Sequence, residues 1–98
     1  VFARQIVGLG QTADIAIAIS TSGTSPNVLR GIEAARAKDM YVVGLSGESG
    51  GKMVGQVDVL LRVPSTCTPR IQETHIMIGH IICDLVDRFV VAEKFSRD

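Results

Sequence analysis

Five of the six residues from Ser20 to Ser25 carry a side-chain hydroxyl, and the sixth is Gly23. They stand between the apolar run Ile15 to Ile19 and Pro26, which opens an amphipathic stretch. A buried strand, a tight polar turn and a helix entered through proline fit that order. In open α/β sheets, ligands bind beyond the carboxyl ends of the strands. A helix start there adds free N–H groups and the positive end of the helix dipole. Hydroxyls and N–H groups without Lys or Arg suit an anion that must be held and released, such as a phosphate monoester. The plainer alternative is a helix N-cap followed by a Ser/Thr-rich turn, but a cap needs only one such residue.

A second set of polar residues lies on the stretch from Arg70 to about Val91, which reads as one long helix. Gln72, Ile76 and His80 are spaced i, i+4, i+8 and drift only ~80° around the axis. Gln72 and His80 therefore address one region, two turns apart. His75 lies ~140° from His80, so the two histidines cannot share a metal on a straight helix. The spacing useful for zinc is i, i+4. His75 is expected to be a helix-packing histidine with one ring nitrogen hydrogen-bonded. Gln72 on its own reads equally as a residue that hydrogen-bonds near the helix start. The loop SGESGGK, 46 to 52, offers glycines for a second anion nest. The reading preferred for it is a flexible turn, because Glu48 would repel phosphate.

The elements that must position these residues follow from apolar spacing. Residues 1 to about 9 read as a helix tail through Phe2, Ile6, Val7 and Leu9. Ile15 to Ile19, continuously apolar, is the pattern of a strand covered on both faces. Asn27 to Lys38 repeats apolar residues at Val28, Leu29, Ile32 and Ala35. Tyr41 to Leu45 is a second strand, Lys52 to Val57 a weak helical turn, and Val59 to Val63 a third strand. Pro64 to Pro69 is a connection holding two prolines. Helices alternating with strands imply an α/β fold, a parallel sheet with flanking helices and right-handed crossovers. The long helix is apolar over much of its circumference, through Ile71, Ile76, Met77, Ile81, Leu85 and Phe89 among others. Burial on more than one side is expected for it, in an oligomer core or against helices that this sequence does not hold.

Composition removes several functions. The chain has 98 residues, one domain at most, with ten basic and ten acidic side chains. That balance favours neither nucleic acid nor an anionic membrane as partner. No apolar run approaches the ~20 residues of a membrane span. Cys67 and Cys83 have no metal spacing, and reduced thiols in a cytoplasm are expected. The chain opens on Val-Phe-Ala in what reads as mid-helix, and three strands are few for a doubly wound sheet. A fragment of a longer protein is the expectation, with a processed N-terminus as the alternative.

Ile19 to Ser25, the loop SGESGGK and RIQETHIMIGH at 70 to 80 resemble the sugar isomerase (SIS) domain, and within it the phosphoheptose isomerase family. The resemblance covers essentially the whole chain and about the C-terminal half of that family's proteins. It implies a three-layer, flavodoxin-like α/β/α domain of which this chain holds the C-terminal part. It implies conversion of sedoheptulose 7-phosphate to D-glycero-D-manno-heptose 7-phosphate, for the heptose of lipopolysaccharide. Ser20, Thr21, Ser22 and Ser25 would bind the sugar phosphate, with Gln72 serving the far end of the sugar. Gln72 and His80 would be zinc ligands, with His80 also the catalytic base. The family's remaining zinc ligands, a His and a Glu after a GNGGS loop, have no counterpart here, so activity of an isolated chain is not to be assumed. A homotetramer that builds each site across subunits is further implied.

The alternative within the same fold is a non-catalytic scaffold of the DiaA type, whose partner is the initiator DnaA. Ile81 to Asp87 and Lys38-Asp39-Met40 are similar to that relative. Ser22 and His80 favour the isomerase, since the scaffold replaces both. A sugar-phosphate sensor domain is the third reading, and it would need no His80.

Overall fold

The computed structural model describes residues 2–97, and side chains for residues 2–94; Val1, the first residue of the expected helix tail, lies outside them. In order, the chain forms α1 (Phe2–Leu9), β1 (Ile15–Ile19), α2 (Pro26–Ala37), β2 (Tyr41–Ser46), a 3-10 turn (Gly51–Met53), β3 (Val59–Arg62) and α3 (Thr68–Arg97). The three strands are parallel in the order β1-β2-β3, with Ile17 opposite Val43 and Leu45 opposite Leu61. Every expected element is present. The helical turn expected over Lys52 to Val57 contracts to Gly51–Met53, and α3 begins two residues before Arg70. Proline is tolerated in a first turn, where its missing N–H has no helical partner. The helix therefore starts through Pro69, and Ile71 N–H donates its first bond to Cys67 O.

One face of the sheet carries the core. Ala16 and Ala18 of β1 are small enough to let α2 lie close, and Ile32 and Ala35 pack there with Val42, Met40 and Met53. α1 covers the outer side of α2 at Gly31, where a Cβ would meet Phe2 Cβ at 3.4 Å. The Lys38 ammonium donates to the carbonyls of Val7 and Gly10, which end α1 without a helical partner. Asp58 holds the start of β3 in register: its carboxylate accepts Val42 N–H at 2.7 Å, and its N–H returns to Val42 O. Met53 is fully buried against the Cβ-less Gly44. Met53→Ala is expected to destabilise the fold by about 2–5 kcal/mol, read as a lower urea midpoint; an unchanged midpoint would place Met53 outside the core.

Two expectations are corrected. β1 is not covered on both faces: Ile15, Ile17 and Ile19 are exposed, and Tyr41, Val59 and Leu61 share that open face. Among the described residues β1 is also an edge strand, paired with β2 alone. An apolar run announces what a strand tolerates, and the layer it would pack on is not among the described residues. Likewise α3 is not buried on several sides. Ile71 and His75 in its first two turns are its only buried described residues. Ile76, Met77, Ile81, Leu85, Val86, Phe89 and Val90 are exposed. The radius of gyration, 14.7 Å, exceeds the roughly 13 Å of a compact chain of this length.

Candidate functional site

The hydroxyl turn closes on itself before α2 begins. Ser20 is buried, and its Oγ accepts the N–H of Gly23 at 3.1 Å and of Ser25 at 3.4 Å. Ser22 Oγ accepts Thr24 N–H and lies 2.7 Å from Thr24 Oγ1. Ser25 occupies the N-cap of α2 yet makes no side-chain capping bond. The capping alternative therefore does not account for the turn. Pro26 has no N–H, and the first helical bond runs from Leu29 N–H to Ser25 O. The N–H groups of Asn27 and Val28 sit in the first turn, where the helix offers no acceptor.

The loop after β2 acts as the brace of this turn. Gly23 has φ +71°, and a Cβ on it would lie 2.2 Å from Gly50 O. Gly51, at φ +55°, would place a Cβ 2.4 Å from Ser22 O. Lys52 N–H donates to Gly23 O and Gly47 N–H to Thr21 O. Glu48 N–H is bonded to Ser65 O, Gly50 N–H to Gly47 O and Gly51 N–H to Ser49 Oγ. With those donors committed, the loop is not a second anion nest. It is a turn, as expected, but one locked against Ser20 to Ser25.

Ser20, Thr21, Ser22 and Ser25 line one cavity of about 640 Å³. Its other walls bring Gly47, Glu48 and Ser49 from the brace, and Ser65, Thr66, Thr68 and Ile71 from the β3–α3 connection. The hydroxyls of Ser65, Thr66 and Thr68 escaped the sequence reading, which took Pro64 to Pro69 as a linker. Their position after the third parallel strand was the available signal. No Lys or Arg lines the cavity. A groove of about 650 Å³ along α1, β1 and α2 is mostly apolar and has no comparable convergence of hydroxyls.

Gln72 and His80 do not line that cavity. Both are exposed on α3, and His80 faces a shallow groove with Glu73, Met77 and Asp84. They stand ~12 Å apart along the helix axis. Zinc takes four ligands, or three and a water. Among the described residues no group of three or more His, Cys, Asp or Glu side chains could hold a metal. The donors present therefore do not make a zinc site by themselves. His75 is, as expected, a packing histidine: it is buried, with Nε2 2.9 Å from Ser46 O. Among the described residues, no helix is long and apolar enough to cross a membrane.

A family model for the SIS domain matches residues 1–47. Phosphoheptose isomerase 2 of Campylobacter jejuni is 50% identical over 95 residues, 97% of this chain and 47% of its own length. The phosphoheptose isomerase of Rhodospirillum rubrum is 52% identical over 87 residues, 89% of this chain and 46% of its own. Among solved structures, phosphoheptose isomerase from Neisseria gonorrhoeae superposes with a TM-score of 0.83 at 44% identity, over 87% of this chain and 49% of that one. The enzyme from Francisella tularensis gives 0.85 at 42%, over 89% and 49%. The chain spans about half the length of the curated relatives it matches. In fold and in sequence, the chain is similar to the SIS domain and to the phosphoheptose isomerases over about half of their length.

Proposed function

We propose that this chain supplies the phosphate-binding part of a phosphoheptose isomerase acting on sedoheptulose 7-phosphate, in the supply of heptose for lipopolysaccharide. The observation that carries the reading is the hydroxyl cavity at the carboxyl ends of three parallel strands. Seven hydroxyl residues of the turn and the β3–α3 connection line it, without a cation. Neutral donors hold a phosphate monoester by directed hydrogen bonds, which suits a ligand that must leave again as product. The relatives' names support the isomerase over the DiaA-type scaffold and its DnaA partner.

The reaction moves a proton from C1 of the open-chain ketose to C2, through an enediol. His80 is the group on this chain suited to carry it, since imidazole both accepts and donates near neutral pH. Gln72 orients the sugar end. Gln72 and His80 are also the zinc donors this chain offers, a set completed only by ligands from elsewhere. The exposed apolar faces of β1 and α3 suit a homo-oligomer, a tetramer in the family's pattern. The free thiols Cys67 and Cys83 suit a reducing cytoplasm.

Binding of sedoheptulose 7-phosphate by calorimetry tests the site. Ser22→Ala with Ser25→Ala should weaken it roughly tenfold, at ~0.5–1.5 kcal/mol for each hydroxyl lost. Equal affinity for the double variant would move the phosphate out of this cavity.

A further inference from the structure

We propose that His75 is a positioning residue, held as the Nε2–H tautomer, that ties the phosphate cavity to the helix carrying Gln72 and His80. The inference rests on the reading of that cavity as the phosphate site. His75 is 4% exposed, and Nε2 lies 2.9 Å from Ser46 O. A carbonyl oxygen only accepts, so the ring proton sits on Nε2. Nδ1 is also buried, and among the described residues it has no hydrogen-bond partner. An unpaired buried ring nitrogen is destabilising. An apolar side chain of similar size would fill the space without that penalty. What the ring adds is its bond to Ser46 O.

That carbonyl sits at a junction. It also accepts Val63 N–H at 3.0 Å, so it joins β2, the end of β3 and α3. The next residue, Gly47, donates its N–H to Thr21 O at 3.0 Å. A Cβ on Gly47 would lie 2.8 Å from Thr21 O and 2.9 Å from Ile71 Cδ1. The cavity wall and the first turns of α3 are thus in contact through one backbone residue, with nothing between them to absorb a shift. Among the described residues of α3, Ile71 and His75 anchor it by burial. The His75 bond is a directional contact between that helix and the sheet, so it constrains the rotation of α3 about its axis. That rotation sets where Gln72 and His80 stand relative to Ser20 to Ser25.

The test uses the full-length protein, with ¹⁵N-labelled histidine. His75 should show a protonated Nε2 and a bare Nδ1. His75→Gln keeps an N–H donor near the Nε2 position, and His75→Asn cannot reach Ser46 O. His75→Asn should weaken binding of inorganic phosphate by about three- to thirty-fold and shift the amide resonances of Thr21, Gly47 and Gln72. His75→Gln should restore both while changing the melting temperature little relative to His75→Asn. A proton on Nδ1, or equal behaviour of the two variants, overturns the proposal. If the wild type binds no phosphate, the cavity reading fails. The amide shifts then still judge His75, because unmoved Thr21 and Gly47 resonances overturn the coupling on their own.

Discussion

Gly23→Ala is expected to destroy the hydroxyl cavity and to destabilise the fold by about 3 kcal/mol or more. Two effects act together at this position. The residue sits at φ +71°, where a Cβ is strained by its own backbone. The Cβ would also stand 2.2 Å from Gly50 O and 2.6 Å from Gly50 C. These are backbone atoms, so no rotamer change relieves the clash. The loop from Gly47 to Lys52 would have to move away, breaking the bond from Lys52 N–H to Gly23 O. Ser20 Oγ would lose the geometry that lets it accept two turn N–H groups. Urea unfolding should show the lower midpoint, and phosphate titration should show no saturable binding. A Gly23→Ala protein of normal stability and affinity would refute the account of the brace.

His80→Ala, assayed in the full-length protein, is expected to lower kcat by roughly 10²–10⁴-fold, the range for loss of a general acid–base group. KM should change far less, because His80 does not line the hydroxyl cavity. A group needed only in the proton transfer lowers turnover without loosening the ground state. The contrast with the Ser22→Ala, Ser25→Ala pair is therefore diagnostic: the serine losses should act on affinity and the His80 loss on rate. Unchanged turnover would take His80 out of the chemistry, whereas sugar-phosphate binding without turnover in the unsubstituted protein would leave the sensor reading.

Much of the fold could be read from the chain because its signals are local. Pro26 after a hydroxyl run marks a helix start, and Val28, Leu29, Ile32 and Ala35 mark the face that packs. His75 read correctly as a packing residue because most helix histidines are not ligands, and its angle to His80 set aside a shared metal. The open face of β1 was not readable, because a continuous apolar run carries no information on whether a second layer is present. Glu48 was weighed only as a repulsive charge. The committed N–H groups around it depend on contacts with Ser65 and Thr21, far apart in sequence. Ser65, Thr66 and Thr68 were hidden by two prolines, which read as linker chemistry although the segment follows a parallel strand.

The uncovered side of the sheet bears on how the chain behaves in water. β1 offers a free row of backbone donors and acceptors along its edge, beside an open face of Ile15, Ile17 and Ile19. Natural edges are usually blunted by Lys, Pro or a bulge, and IAIAI has none of these. Any strand with matching apolar residues can add to it by ordinary sheet pairing. In isolation this stretch is a template for aggregation, and the same row of unpaired groups makes it the natural seat for another strand in a larger sheet.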